Sequence, residues 1–238
     1  MRTSGARSSR GSRRVSSQAV PQTGAVVFDE QVCELLLIRH GRSADVVPGS
    51  DESLDPPLHD LGHGQAEALA RRLGDKVIAA IYASDLLRAV QTAGYLAVSH
   101  DVEVQQRQDL REVWLGEWER GEFRRRAQAR DPEWLAFARA GRWDLVPGSE
   151  GDDALRTRVA RAIGEIAAQH LGETVAVVVH GGVINAFLAA SFETTPSWFG
   201  ITENTSVTVV LAAPTRRILL TMNDCTHLYD PVVERPAP

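Results

Sequence analysis

Glu34-Leu35-Leu36-Leu37-Ile38-Arg39-His40-Gly41 is an apolar run that ends abruptly in Arg, His and Gly. A short continuous run of this kind predicts a strand buried on both faces, as in a parallel sheet covered by helices. Arg39, His40 and Gly41 then sit just beyond its carboxyl end. A loop of Pro, Gly, Ser and Asp follows, to about residue 60. Ala66, Leu69, Ala70 and Leu73 come next at helical spacing, with Asp60 as the expected N-cap. Ala79 to Ala83 predicts a second strand. Ser84 or Asp85 is placed to cap the helix after it, in which Leu86, Val90, Ala93 and Ala97 share a face.

Farther along, Leu155, Val159, Ala162, Ile163 and Ile166 mark a long amphipathic helix, and Thr174 to Val179 is the strongest strand of the chain. Val183 to Ala190 reads as a helix, and 205–212 and 216–222 as a closing pair of strands. Alternating strands and helices predict an α/β fold, a three-layer α/β/α sandwich with a largely parallel sheet. One domain is expected over 33–231. Residues 1–32 are rich in Ser and Arg with no sustained apolar period, and read as a disordered tail. Residues 119–147, rich in Arg, Glu and Trp with weak helical patterning, read as a small inserted lid. Residues 232–238 read as a C-terminal tail.

The bulk properties narrow the function classes. A net charge of -5 gives no reason to expect a nucleic-acid partner. No apolar run approaches a membrane span, so no membrane partner is expected. Arg13-Arg14 could begin an export signal, but the VSSQAVPQTG that follows is too polar for its apolar segment, and a cytoplasmic location is the expectation. Cys33 and Cys225 make neither a disulfide framework nor a zinc spacing.

In open α/β sheets the loops beyond the carboxyl ends of the strands form the binding crevice. Arg39 and His40 follow the first strand, Arg88 lies in the first turn of the helix after the second, and His180 follows the strongest strand. Two His and two Arg are thus expected to meet at one edge of the sheet. Arginine offers a planar fork of donors suited to phosphate oxygens. Gly41 and Gly181-Gly182 let backbone approach an anion closely, and the second pair also opens a helix whose free N–H groups attract one. A neutral imidazole among these groups reads as a nucleophile in a phosphate pocket.

The stretch Leu37-Ile38-Arg39-His40-Gly41-Arg42-Ser43 resembles the signature of the histidine phosphatase superfamily, also called the phosphoglycerate mutase-like family. Further similar segments follow in order: Leu58 to Ala66, Ala83 to Ala93, Leu110-Arg111-Glu112, Pro147 to Glu150, and Val178 to Ile184. The resemblance spans roughly 34–222. It implies that His40 attacks phosphorus and becomes phosphohistidine. It implies that Arg39, Arg88 and His180 hold the phosphoryl oxygens, with Ser43 and Gly181 also at the substrate. Glu112 falls where part of the family has its proton donor, and Glu117, Glu119 and Glu122 are near enough to serve instead. The implied activity is metal-independent hydrolysis of a small phosphate ester, with no metal and no cofactor. One position departs: relatives often have Asn seven residues after the motif Arg, and this chain has Val46, which cannot hydrogen-bond phosphate.

Two rivals remain. A mutase would need a site closed to water, against which Val46 and a modest lid count. A binding module that has lost catalysis would not need His40, both arginines and His180 together. His59 and His63 are four apart and could share a metal, but have no evident third ligand. The arginines at 120, 124, 125, 126 and 130 could select a substrate with extra negative charge or form a solvated helix face. Trp114, Trp118, Trp134, Trp143 and Trp198 read as core or lid packing. The role of Asn204-Thr205-Ser206 and the oligomeric state, a homodimer included, stay open.

Overall fold

The computed structural model describes residues 30–198 and 200–229, so nearly all of the expected N-terminal tail and the whole of 232–238 lie outside the described residues. Its centre is one sheet of six strands: β1 (Cys33–Arg39), β2 (Ala80–Ser84), β3 (Val104–Arg107), β4 (Thr174–Val179), β5 (Val207–Ala212) and β6 (Arg217–Asp224), in the order β3-β2-β4-β1-β5-β6. β3, β2, β4 and β1 are parallel, and β5 and β6 join antiparallel at the other edge, so the sheet is mixed but mostly parallel. The helices among the described residues are α1 (Asp60–Leu73), α2 (Leu87–His100), α3 (Glu122–Ala129), α4 (Pro132–Ala140), α5 (Gly151–Gln169) and α6 (Gly181–Ser191). None of them is long and apolar enough to cross a membrane.

The period of two in the strands builds the layers. Leu35, Leu37, Val175, Val177 and Val179 point into a core shared with α5 and α6. Leu36, Ile38, Ala176 and Val178 point the other way, toward α1 and α2. Both faces of β1 and β4 are therefore covered, which is why the stretches Leu35 to Ile38 and Val175 to Val179 are apolar without alternation.

Several expectations need correction at element ends. His59, not Asp60, is the N-cap of α1; its Nδ1 accepts from the Leu61 N–H at 3.0 Å. The first turn of α2 is served partly from a distance, since Asp55 Oδ1 accepts from the Leu87 N–H at 2.9 Å, while Ser84 Oγ takes only the Leu86 N–H, at 3.3 Å. β3 was not expected at all. It is a half-exposed edge strand of Val, Gln, Gln and Arg, with no apolar rhythm to betray it.

The segment after Leu110 is more regular than its composition suggests. It holds short 3-10 turns at Gly116–Trp118 and Trp143–Leu145 around α3 and α4. Asp131 caps α4 by accepting from Glu133 and Trp134, Pro132 opens the helix, and Gly141 closes it at φ 62°. α3 buries no residue of its own. What fixes the segment is an aromatic cluster, with Phe137 centred 4.7 Å from Trp143 and 4.9 Å from Trp198. Most of the tryptophans thus pack, whereas Trp114 stays exposed at a cleft rim.

Candidate active site

Strand register brings the site together. β1 and β4 are parallel neighbours with Arg39 opposite Val179, so the residues that follow each strand emerge side by side. The rings of His40 and His180 are centred 5.0 Å apart. A hydrogen bond from the His40 N–H to the Val179 carbonyl, 2.9 Å, extends the ladder one residue past the end of β1. β2 pairs with β4 on the other side, and the helix after it delivers Arg88.

His40 is buried, and its two nitrogens have different surroundings. Nδ1 lies 2.7 Å from the Gly41 carbonyl oxygen, which can only accept, so Nδ1 carries the proton. Nε2 is then the lone-pair nitrogen, and it accepts from Arg88 Nε at 3.3 Å. Burial, then the positive charges of Arg88 and Arg39, hold the imidazole well below its ordinary pKa, so the ring is neutral at neutral pH. The same causes, burial first, depress His180, whose ring nitrogens are both buried with no hydrogen-bond partner among the described residues.

The loop carrying His40 is held from three sides. Thr92 Oγ1 on α2 accepts from the Gly41 N–H at 3.0 Å and donates to the Arg88 carbonyl at 2.7 Å. Asn204 Nδ2 donates to the His40 carbonyl at 2.9 Å, and the Thr205 N–H to the Arg39 carbonyl at 2.9 Å. The Asn-Thr-Ser stretch left open by its sequence therefore supports the backbone of Arg39 and His40. Gly41 packs against the backbone of Gly62, where a Cβ would lie 2.6 Å from the carbonyl oxygen.

Arg39 donates through Nη1 to the Thr202 carbonyl, and its Nε is buried without a partner among the described residues. Arg88 has only a loose ion pair, 3.6 Å, with Asp55. Burial lowers the pKa of both guanidinium groups. Glu112 is the leading opposing charge on both, but among the described residues no carboxylate pairs closely with either, and an anion beside them is favoured. Gly181 lies against Thr202 and Arg39, with room for backbone but little for a side chain.

Glu112 is fixed by two backbone donors: Oε1 accepts from the Val113 N–H at 3.0 Å, and Oε2 from the Gly182 N–H at 3.3 Å. The second bond joins it to the start of α6, beside His180. Glu119, on the same cleft, accepts from the Leu115 N–H at 2.7 Å, and burial raises its pKa. Glu122 is instead bound to Arg125 and Arg126. Ser43 is buried and its Oγ accepts from Arg124 Nη2 at 2.6 Å, so an arginine of α3 reaches the loop after β1.

Arg39, His40, Arg88, Glu112 and Glu119 face a cleft of about 740 Å³, roofed by Phe123 and Arg124 of α3. Val46 also lines it and packs close to Gly121, where an added Cβ would lie 3.1 Å from the Val46 Cγ2. His59 and His63 do not form a metal pair: one caps α1 and the other meets the Tyr95 hydroxyl at 3.1 Å. Among the described residues no group of three or more His, Cys, Asp or Glu is placed to hold a metal ion.

Residues 35–225 match the profile of the histidine phosphatase superfamily, branch 1. The chain belongs to the histidine phosphatase superfamily. This histidine phosphatase is 33% identical over 208 residues to the metal-independent phosphoserine phosphatase of Arabidopsis thaliana, covering 85% of this chain and 86% of that one. It is 35% identical over 166 residues to the glucosyl-3-phosphoglycerate phosphatase of Mycobacterium tuberculosis, covering 66% of this chain and 74% of the other. The native structure of a mycobacterial glucosyl-3-phosphoglycerate phosphatase superposes with a TM-score of 0.70 at 27% identity, over 81% of this chain and 99% of that one. The sandwich fold and a phosphatase activity thus stand as first read.

Proposed function

We propose that this histidine phosphatase hydrolyses a small phosphate ester through a phosphohistidine on His40, without a metal, in the cytoplasm. The observation that carries the reading is the state of His40: buried, neutral, with Nδ1 tied to the Gly41 carbonyl and Nε2 turned toward Arg88 at the cleft. Nε2 attacks phosphorus, an N–P bond forms, and the ester P–O bond breaks. Arg88 gives up its long bond to Nε2 and, with Arg39 and His180, holds the phosphoryl oxygens and the charge spread over them. Ser43 and the Gly181 backbone complete the phosphate cradle.

Glu112 donates its proton to the leaving oxygen, releasing the alcohol. It then takes a proton from water, which attacks phosphorus and breaks the N–P bond, yielding inorganic phosphate and neutral His40. Glu119 is the second carboxyl on the cleft, and its raised pKa suits it to hold a proton if Glu112 does not. Glu112→Gln and Glu119→Gln separate the two. The open cleft favours hydrolysis over the mutase reading, in which the phosphoenzyme must be kept from water. Residues 119–147 act as the lid. The free, buried thiols of Cys33 and Cys225 suit a reducing compartment.

The test is phosphate release from a panel of small esters with EDTA present, beside His40→Ala. Release that requires His40 and ignores EDTA is the expected result. Release that survives in His40→Ala, or that EDTA abolishes, overturns the proposal.

A further inference from the structure

Asn204 and Thr205 hold the Arg39 and His40 carbonyls, and behind them lies a second polar group. Thr205 is fully buried, and its backbone stands at φ 57°, an outlier for a β-branched residue. Such a conformation persists only where its surroundings impose it. The Thr205 Oγ1 lies 3.0 Å from Nε2 of His227, a half-buried residue of the short turn Thr226–Leu228 after β6. Neither Thr205 nor His227 lines the cleft.

Donors and acceptors fix the direction of each bond in this group. Thr205 Oγ1 donates to the Asn204 carbonyl at 2.7 Å, so it accepts from His227, and Nε2 carries the ring proton. Nδ1 is then a lone pair, and it accepts from Nη1 of Arg72, on the last turn of α1, at 3.3 Å. Both terminal nitrogens of Arg72 donate to Asp224. Asp224 Oδ1 in turn accepts from the Thr226 N–H at 3.1 Å and the Thr226 hydroxyl at 3.0 Å, which fixes the turn that carries His227. Burial, then the charge of Arg72, lowers the His227 pKa to about 4 against the opposing pull of Asp224, so the ring is neutral at neutral pH, as these bonds require.

The chain of bonds ends on one peptide unit. The His40 carbonyl and the Gly41 N–H share a plane. The carbonyl accepts from Asn204 Nδ2 at 2.9 Å and from the Thr205 N–H at 3.3 Å, and the Gly41 N–H donates to Thr92 at 3.0 Å. The next carbonyl, of Gly41, holds Nδ1 of the His40 ring. Rotation of the plane would therefore turn Nε2 of His40 away from the cleft.

Resting on the reading of His40 as nucleophile, we propose that His227 is a positioning residue for the reaction: by donating to Thr205 it locks the Asn204-Thr205 turn beneath His40 and so aims the nucleophilic nitrogen at phosphorus. It touches no substrate. The loop after β1 is thereby braced by α1 twice, through Gly62 against Gly41 near the start of the helix and through Arg72 and His227 at its end.

The test follows single-turnover release of 4-nitrophenol from 4-nitrophenyl phosphate by saturating excess enzyme, whose rate constant does not depend on the fraction of enzyme folded. His227→Ala should lower that constant roughly tenfold, short of the ~100-fold that a 1 Å misplacement costs. The inhibition constant of inorganic phosphate should hold within about twofold, because the guanidinium groups that bind it are held elsewhere. Thr205→Ala should cost about as much, and the double variant no more than either, since both break one chain. His227→Gln, which keeps a donor for Thr205, should recover most of the rate. NMR of nitrogen-labelled wild-type protein at neutral pH should show His227 neutral with its proton on Nε2, a reading that needs no variant to fold. An unchanged constant in His227→Ala, losses that multiply in the double variant, or a His227 proton on Nδ1 would each overturn the inference. Wild-type enzyme that releases no 4-nitrophenol, or release undiminished in His40→Ala, would instead fail the phosphatase reading and take this inference with it.

Discussion

Gly182→Ala tests whether the position of Glu112, and not merely its presence, matters. A Cβ built at Gly182 lies 2.4 Å from Glu112 Oε1, where ordinary contact begins at 3.4 Å. The carboxyl group must retreat by about 1 Å, and its bond to the Gly182 N–H, already 3.3 Å long, is lost. A misplacement of ~1 Å in a reacting group costs on the order of 100-fold in rate. The same Cβ lies 3.3 Å from Trp143 Cζ2, so the melting temperature is measured beside the rate to separate a displaced carboxyl group from a loosened helix. The assay is kcat/KM on an alkyl phosphate, whose poor leaving group needs the proton, and on 4-nitrophenyl phosphate, whose leaving group does not. The alkyl ester should lose on the order of 100-fold, the aryl ester much less, and the melting temperature should hold. Wild-type activity of Gly182→Ala on the alkyl ester would refute the assignment of Glu112. An equal loss on both esters would mean that the substitution damages the phosphate cradle instead.

The remaining predictions concern protons and packing. Because the folded state depresses His40 and His180, the unfolded chain binds more protons as pH falls below the ordinary imidazole value of 6.5. Stability is thus fully present above that pH and is lost on acidification toward the depressed folded values; His227, lowered to about 4 chiefly by burial, adds to the same window. Melting curves between pH 7 and 4 should show this fall, and a flat profile would contradict the burial of these rings. The acid limb of kcat/KM should lie below pH 6.5, since His40 need only stay neutral, while the alkaline limb reports deprotonation of the acid and should shift in Glu119→Gln only if Glu119 holds that proton. Gly62→Ala, whose Cβ would lie 2.1 Å from the Arg42 carbonyl oxygen, should lower both melting temperature and turnover, because it pries the motif loop from α1. Unchanged turnover in a stable Gly62→Ala protein would show that the loop does not depend on that contact.

Much of the site was legible because its physics is local. A continuous apolar run needs two covered faces, so β1 and β4 announced a parallel sheet, and residues just past such strands must share one edge. Register then did the rest, placing His40 beside His180. What stayed hidden depends on partners distant in sequence or on weak local signals. β3 is polar because it lies at an edge. Asp55 and His59 serve helix starts that composition assigns to other residues. Among the arginines at 120, 124, 125, 126 and 130, only the fold distinguishes Arg124, which reaches Ser43, from Arg120, Arg125 and Arg126, which pair with acids. Glu119 could be named only as one of three neighbouring acids, because its burial is set by the folded cleft and not by its neighbours in sequence.

The most direct test of the central claim is to quench the enzyme during turnover of a phosphate ester and look for phosphate bound to protein. The account predicts an acid-labile, base-stable phosphoenzyme that maps to His40 and is absent from His40→Ala. Phosphate found on another residue, or full turnover by His40→Ala with no trapped intermediate, would contradict it.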